Sequence, residues 1–302
     1  MKKNNVKLGI IGEGYHYKKN IRPILSILKK NINLSIFVLK KKNKGYDYLK
    51  FFKKKIDICY LSTPTKTHYL IAKLCIDNNI SVISEKPLCE TYNQAKVLVS
   101  SAKKKKLFLC EALMFVYHPV FKHIKKIVLK KKKELLYVKS EFTIPSLNKK
   151  NNRYNYLKGG GFFNDLAIYP ITLENYLFNN KKIFRKNSFT YSEKKIPLRG
   201  YINFNSNNFQ RFYFWGEGQK YKNNISLIFK TFSLHVENFF SKNYKLSASI
   251  DYNGKKNKKI FFPKCNHFYL MLSKILQNFN KKDFKNENYK NIINVSKIKN
   301  KL

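Results

Sequence analysis

The stretch VKLGIIGEG, residues 6–14, decides how the beginning of this 302-residue chain is interpreted. Its apolar residues form a buried-strand pattern over 6–11, and glycines end that pattern. Gly12 and Gly14 would permit a tight turn in which the backbone approaches a pyrophosphate and the next helix presents N–H groups to it. Tyr17 replaces the third small residue of a complete G-x-G-x-x-G pattern. A plain glycine turn between a strand and a helix therefore remains the alternative.

Strand and helix patterns alternate after this turn, up to about residue 110. In the segment 91–105, Ala95, Leu98, Val99 and Ala102 fall on one helix face. Such alternation indicates parallel strands joined by right-handed crossovers in a doubly wound sheet. The predicted strands are 6–11, 34–39, 56–62, 81–84 and 107–110, and the predicted helices are 21–30, 67–79 and 91–105.

The remainder of the chain has a different pattern. A lysine-rich helix is predicted over 118–133, and the runs that follow alternate with period two or have hairpin-like spacing. We therefore expect an α/β chain whose doubly wound domain (residues 1–120) precedes an α+β domain (residues 121–302) with an open, mostly antiparallel sheet. The predicted strands are 135–144, 209–215, 225–229, 233–236, 245–252 and 259–262, and further helices are predicted over 162–178 and 268–279.

The composition excludes several classes of protein. Hydrophobic residues make up 43% of the chain and aromatic residues 16%, enough for a sizeable core. No run approaches the roughly 18 apolar residues of a membrane-spanning helix, and the N-terminus lacks a signal-peptide pattern. The five cysteines include no C-x-x-C pair. We therefore expect no disulfide framework, no metal site and a location in the reducing cytoplasm.

The net charge of +45 is the most conspicuous feature of the composition. Only five of the 62 basic residues are arginine, the residue on which nucleic-acid readers usually depend. Lysine is accompanied by abundant Asn, Ile, Phe and Tyr, as A/T-rich codons would produce. We therefore predict solvated lysines that attract anionic ligands, and no specific nucleic-acid partner. An RNA- or polyanion-binding protein would instead cluster its lysines on one face among exposed aromatic residues.

Four further segments carry candidate chemistry, two of them directly after predicted strands. Ligands of open parallel sheets bind at the carboxyl edge, where STPTKTH (residues 62–68) and SEKPL (residues 84–88) would lie. Because Lys86 precedes a proline, its backbone is extended rather than helical, and its side chain would project into this cleft. The alternative is that Lys86 is one more surface lysine. The other two segments are EALMFVYHP (residues 111–119) and GGGFFNDLAIYP (residues 159–170), in which Asp165 and Tyr169 share a helix face.

Together these segments resemble the Gfo/Idh/MocA oxidoreductases over the whole chain. The resemblance implies an N-terminal Rossmann domain for a dinucleotide and a C-terminal domain whose sheet forms dimers or tetramers in many members. It also implies that substrate sits between the domains over the nicotinamide. Lys86 matches the family's active-site lysine, Asp165 the motif aspartate, and Tyr169 a position held by histidine or tyrosine. Ala167 and Val116 depart from the family pattern, in which glycine and often arginine stand there.

The resemblance implies catalytic roles for Lys86, Asp165 and Tyr169. Hydride transfer at a carbinol carbon needs a partner that moves the hydroxyl proton. A tyrosine has a reference pKa of about 10, and an ammonium such as that of Lys86 would lower it by favouring phenolate. Asp165 could orient a sugar hydroxyl or the lysine. The alternative for Tyr169 is a core aromatic residue with a satisfied hydroxyl.

The cofactor prediction is NADP or NAD, with a preference for NADP. Strand two ends in lysines at positions 40–42 and lacks the acidic residue that would bond the ribose 2′-OH of NAD. A solvated turn is the alternative interpretation of these lysines. The predicted cofactor-binding residues are Gly9, Gly12, Glu13, Gly14, Tyr15, Lys40, Ser62, Thr63, Pro64, His68, Glu85 and Lys86.

The predicted substrate is a sugar or nucleotide sugar. Residues 142–154 and 214–240 are similar to family members of nucleotide-sugar and surface-polysaccharide pathways. Candidate substrate contacts are Glu111, His118 and Arg153. For His118 a structural role is equally open. Arg153 could bind a diphosphate or form a surface ion pair. We therefore predict a cytoplasmic NAD(P)-dependent oxidoreductase that forms a homo-oligomer. The alternatives are a non-catalytic dinucleotide-binding protein and the polyanion-binding protein.

Overall fold

The chain divides into two compact units in a computed structural model. The structure describes residues 5–40, 45–155, 161–178, 184–192, 195–206, 209–243, 245 and 247–302. The first unit combines Met1–Leu113 with Phe268–Asn300, and the second combines Met114–His267 with Lys301–Leu302. This division differs from the predicted boundary near residue 120, because a C-terminal stretch belongs with the first unit.

Most of the helices and strands lie close to the predicted ones. The strands are β1 (Val6–Ile11), β2 (Leu34–Leu39), β3 (Ile58–Leu61), β4 (Ser81–Ser84), β5 (Leu109–Glu111), β6 (Leu135–Ile144), β7 (Phe184–Tyr191), β8 (Pro197–Ser206), β9 (Phe209–Glu217), β10 (Lys222–Phe229), β11 (Ser233–Glu237), β12 (Ala248–Asn253) and β13 (Lys258–Phe262). The helices are α1 (Arg22–Asn31), α2 (Tyr48–Phe52), α3 (His68–Asp77), α4 (Tyr92–Lys104), α5 (Pro119–Lys131), α6 (Ile168–Leu177), α7 (His267–Asn278) and α8 (Lys282–Lys299).

The first unit contains a parallel sheet with strand order β2-β1-β3-β4-β5. The predicted doubly wound sheet is therefore confirmed, with the carboxyl ends of its strands along one edge. Helix α4 illustrates why these residues form these elements. Thr91 and Gln94 form a capping box at its start, and the predicted stripe of Ala95, Leu98, Val99 and Ala102 is buried.

Helix α8 explains why C-terminal residues belong with the first unit. Its Tyr289 and Ile292 are buried in the same core as Leu98 and Leu109. Phe284, at the start of the helix, stacks on Phe108 with ring centroids 5.4 Å apart. The sequence patterns assigned no element to residues 282–299, because lysine and asparagine dilute the apolar stripe.

The second unit contains an eight-stranded sheet with order β13-β12-β11-β10-β6-β9-β8-β7. Its neighbouring strands are antiparallel except β6 and β9, so the predicted mostly antiparallel sheet is confirmed. Alternate residues of β9 are buried, among them Arg211, Tyr213 and Trp215. The sequence patterns missed β7 and β8, whose asparagine, glycine and proline residues are poor strand formers.

A buried ion pair fixes helix α6 to this sheet. Arg211 Nε lies 2.9 Å from Glu174 Oε2, and the two side chains are 0% and 1% exposed. Tyr213 donates a hydrogen bond to the same carboxylate oxygen at 3.1 Å. The guanidinium carbon lies 4.5 Å from the ring centroid of Phe209. Because Tyr169 belongs to α6, this pair also sets the position of a predicted catalytic residue.

Replacing Glu174 with alanine is expected to lower the free energy of unfolding of the second unit by about 3–5 kcal/mol, since it leaves the buried Arg211 guanidinium without its carboxylate partner. Trp215 is the sole tryptophan and is fully buried in this unit, so its fluorescence in urea reports the transition. Asp251→Ala is the control, because it breaks an exposed pair with Lys259 in the same unit and should cost at most about 1 kcal/mol. Equal losses in the two variants would contradict the prediction.

Candidate functional site

Gly12 makes the turn that follows β1 in the first unit. Its φ is +100°, and a Cβ there would lie 2.5 Å from the backbone oxygen of Ser62. Gly14 differs, since a Cβ added to it would meet no atom within 4 Å. Gly9 lies inside β1, where a Cβ would meet Cys59, Ile56 and Phe51. Gly12 is therefore required by the turn, Gly14 leaves an open surface, and Gly9 serves core packing.

The residues after the turn divide between solvent and core. Glu13, Gly14 and Tyr15 are exposed, and the Lys19 ammonium lies over the Tyr15 ring, 5.3 Å from its centroid. Tyr17, which departs from the glycine-rich pattern, is only 4% exposed. Its side chain is thus part of the core, and the exposed part of the turn consists of residues 13–15.

His68 connects the loops that follow β3 and β4. It is 1% exposed, and its Nε2 lies 2.9 Å from Thr63 O while its Nδ1 lies 2.9 Å from Pro87 O. Thr63 Oγ1 accepts a hydrogen bond from Thr67. The two predicted ligand loops, residues 62–68 and 84–88, are therefore held together by one buried imidazole.

A polar cluster that the sequence analysis missed surrounds Glu85. His16 Nε2 lies 2.8 Å from Glu85 Oε1, and Tyr60 donates a hydrogen bond to the same oxygen. Burial alone would raise the pKa of Glu85, but His16, Tyr60 and the Lys86 charge bring that pKa below its ordinary value. The cluster joins β3 and the residue after the glycine turn to the residue before Lys86. No motif pointed to His16 or Tyr60, because only the folded sheet edge brings them together.

The remaining predicted residues of the first unit lie at or near the same edge. Lys86 is half-buried and precedes a cis peptide bond to Pro87. Glu111, at the end of β5, accepts a hydrogen bond from Leu88 N–H at 2.7 Å. Lys40 is exposed at the end of β2, while lysines 41 and 42 lie outside the described residues.

In the second unit, Asp165 pairs with Arg153. The distance from Arg153 Nε to Asp165 Oδ2 is 2.6 Å, and the two side chains are 38% and 21% exposed. Tyr154, the neighbour of Arg153, donates to Glu217 and packs edge-on against Phe162. A predicted substrate residue and a predicted catalytic residue are therefore in contact. Glycines 159 and 160 of the glycine run lie outside the described residues, and Gly161 has a φ of +77°.

Tyr169 is 6% exposed within an aromatic cluster. Its ring centroid lies 4.7 Å from that of Phe142, 5.4 Å from that of Phe240 and 5.9 Å from that of Phe115. The ring is thus fixed by packing, as a precisely placed hydroxyl requires.

His118 has a structural role in the second unit. It is 2% exposed and caps α5, where its Nδ1 accepts a hydrogen bond from Val120 N–H at 3.1 Å. Its Nε2 lies 3.2 Å from Cys265 Sγ. Burial, helped by the charges of Lys242 and His267, lowers the pKa of His118 to about 3. A neutral, buried cap favours the structural alternative that the sequence analysis left open.

Residues 6–112 match the profile of the Gfo/Idh/MocA group, an oxidoreductase family with an NAD-binding Rossmann fold. Over this part of the chain, the protein is similar to the Gfo/Idh/MocA oxidoreductases. The matched range contains the glycine turn, both ligand loops and Glu111. The resemblance that the motifs indicated is thereby confirmed for residues 6–112.

Two curated relatives align with part of this chain. D-xylose 1-dehydrogenase (NADP+) from Hypocrea jecorina is 31% identical over 129 residues, 39% of this chain and 32% of that protein. dTDP-3,4-didehydro-2,6-dideoxy-alpha-D-glucose 3-reductase from Actinomadura kijaniata is 29% identical over 117 residues, 38% of this chain and 35% of that protein. The chain thus spans 32–45% of the length of the curated relatives it matches.

The similarity of fold extends further. KijD10, a 3-ketoreductase from Actinomadura kijaniata solved with NADP and TDP-benzene, aligns with a TM-score of 0.84 over 97% of this chain and 95% of that chain. The sequence identity is 18%, so this likeness establishes the common fold alone.

The glycine turn fits a dinucleotide, the ligand named in the description of the matching family. Gly12 allows the backbone to pass close to Ser62, and the space beside Gly14 could admit a ligand. Ser62 Oγ is buried, and no described residue hydrogen-bonds to it. The turn therefore offers an open backbone surface and a buried hydroxyl beside it.

Neither a metal centre nor a membrane span emerges from the described residues. Across those ranges, no three His, Cys, Asp or Glu side chains are grouped so that they could hold a metal ion. None of the helices formed there combines the length and the apolar character that crossing a bilayer requires.

Proposed function

We propose that this protein is an NAD(P)-dependent oxidoreductase that transfers a hydride between nicotinamide and a carbinol or ketone carbon of a sugar or nucleotide sugar. The observation that carries the proposal is the glycine turn at Gly12 and Gly14, on the sheet edge that also bears Lys86. In this proposal the first unit binds the dinucleotide and the second unit contributes substrate-binding residues. The bound dinucleotide would supply the hydride, and the side chains would supply binding, orientation and proton transfer.

In this proposal, Tyr169 is the residue that transfers the proton. Its phenol would exchange a proton with the reacting oxygen, and the surrounding aromatic rings hold it in one orientation. Lys86 is the second proposed catalytic residue, and its ammonium would polarise the reacting oxygen. The pairing of Asp165 with Arg153 supports a role in orienting that guanidinium, whereas the sequence analysis considered a sugar hydroxyl or Lys86 as its partner.

NADP is the preferred dinucleotide. Lys40 is exposed at the end of β2, where a basic side chain would suit a ribose 2′-phosphate. The name of the Hypocrea jecorina relative specifies NADP+, and KijD10 was solved with NADP. All five cysteines are free thiols, which supports a reducing, cytoplasmic location. The open sheet of the second unit is the proposed surface for a homo-oligomer.

A nucleotide sugar is the favoured substrate. The Actinomadura kijaniata relative is named for a dTDP-linked keto sugar. Arg153 is held at Nε by Asp165, so its terminal nitrogens have a defined direction in which to meet a diphosphate. A surface with a net charge of +45 would also attract such an anion.

The first test is a titration of the purified protein with NADPH and NADH, followed by nicotinamide fluorescence at moderate salt, which suppresses unspecific capture of anions. Saturable binding with a preference for NADPH is expected. No saturable binding of either dinucleotide would overturn the proposal and favour a non-catalytic family member.

Arg153→Met is expected to raise KM for a dTDP-linked sugar about 10- to 100-fold, since it removes a charge-assisted hydrogen bond. KM for a free aldose should hardly change. Lys150→Met removes an exposed charge from the same segment and is the control for the lost cation. Equal effects of the two variants, or turnover of free sugars and polyols only, would contradict the nucleotide-sugar assignment.

A further inference from the structure

Two charged side chains, the partly buried Glu111 and the buried Lys299, bind the backbone directly after Lys86. Glu111 accepts a hydrogen bond from Leu88 N–H at 2.7 Å. Lys299, the last residue of α8, donates from Nζ to the backbone oxygen of Cys89 at 2.8 Å. Lys299 is only 8% exposed. Residues 88 and 89 are thus held by side chains that lie 23 and 210 positions away in the sequence.

The charges of Glu111 and Lys299 compensate one another. Burial raises the pKa of Glu111, and the Leu88 N–H, Lys299 and Lys86 oppose that rise. Burial lowers the pKa of Lys299. The charges of Glu111, Cys89 and Glu90 oppose that shift, and the charge of Lys66 adds to it. Removing either partner alone would take from the other one of the charges that offset the cost of its burial.

Packing of α8 does not require a buried lysine. The helix is anchored by Tyr289 and Ile292, which lie in the core of the first unit, and by the stacking of Phe284 on Phe108. A buried ammonium costs free energy unless it is paired and hydrogen-bonded. The position of Lys299 is therefore explained by the Cys89 carbonyl that it binds and by the charge of Glu111, and both belong to the surroundings of Lys86.

We propose that Lys299 is a positioning residue, which together with Glu111 fixes residues 86–89 and thereby the place of the Lys86 ammonium. The inference rests on the proposed function, in which Lys86 acts on the substrate. It makes the last turn of α8 a part of the active-site support, although no motif marks that helix.

Lys299→Met tests this role, since it keeps the aliphatic stem and removes the ammonium. We expect amide exchange of Leu88, measured by hydrogen–deuterium exchange without any ligand, to become at least about tenfold faster. A misplaced Lys86 should lower kcat on the order of 10- to 100-fold with little change in dinucleotide Kd. The acid limb of the kcat profile should move to higher pH, because Glu111 without Lys299 has a still higher pKa. Lys297→Met, at an exposed position of the same helix, should change none of these values.

Glu111→Leu and the double variant Glu111→Leu/Lys299→Met separate positioning from folding. Glu111→Leu removes the acceptor of Leu88 N–H and should reproduce the faster exchange. The double variant leaves neither charge unpaired, so its unfolding transition should recover towards that of the wild type while kcat stays low. Lys299→Arg, which can still donate, should restore most of the turnover.

Wild-type exchange at Leu88 in both single variants would overturn the proposal, as would a double variant that recovers kcat together with stability. Because exchange is measured without cofactor or substrate, it decides the positioning role even if no oxidoreductase activity is found. Absence of dinucleotide binding in the wild type would refute the proposed function separately.

Discussion

Tyr169→Phe is expected to lower kcat by about 10²- to 10⁴-fold, the usual contribution of a positioned acid or base. The variant removes one oxygen and keeps the ring that packs against Phe142, Phe240 and Phe115. Stability should therefore change by no more than about 1.5 kcal/mol. The Kd of the dinucleotide should also be preserved, because the first unit binds it in our proposal.

The measurement is single-turnover oxidation of NADPH with a saturating keto sugar. Tyr191→Phe, at a position that is 55% exposed, is the matched control and should react at the wild-type rate. A Tyr169→Phe protein that turns over normally would show that the phenol is only a core aromatic residue, and the proton would have to be assigned to another group.

Gly12→Ala is expected to abolish dinucleotide binding and to destabilise the first unit. The added Cβ would lie 2.5 Å from Ser62 O and 2.8 Å from Thr63 N, both backbone atoms that cannot move aside cheaply. The φ of +100° adds a conformational penalty of roughly 1–2 kcal/mol for a residue with a side chain. We therefore expect a loss of at least about 2 kcal/mol in the free energy of unfolding.

Gly14→Ala provides the comparison. Its Cβ meets nothing within 4 Å, so the variant should unfold as the wild type does. If the dinucleotide occupies the space beside Gly14, the methyl group will weaken its binding about tenfold without loss of stability, as one misplaced methyl in a close contact does. Fluorescence titration and thermal unfolding of both variants separate the two effects. Normal binding by Gly12→Ala would contradict the assignment of this turn.

The sequence predicted the elements whose patterns are local. β1 has the predicted bounds because its apolar run ends at the glycines, and α4 has its predicted apolar face and a capping box. Motif matching also placed Lys86 after β4, at the edge where parallel strands present ligands.

The roles of several single residues could not be predicted, because they depend on contacts between segments that are distant in the sequence. Gly9 belongs to the glycine-rich motif, yet its lack of a side chain is explained by Cys59, Ile56 and Phe51 from later segments. Tyr17 departs from the motif, but it is buried in the core. The role of Lys299 could not be predicted, because one lysine among so many carries no signal until the fold brings it to Cys89.

The return of α8 to the first unit has a consequence for biosynthesis. The ribosome completes Met1–Leu113 long before residues 282–299 emerge, and Met114–His267 of the second unit is made in between. Until then, the surface of α4 and β5 that Tyr289 and Ile292 will cover remains exposed on the nascent chain. Such a surface is a binding site for chaperones and a risk for aggregation. A fragment that stops at Leu113 should therefore aggregate, even though it contains every strand of the parallel sheet.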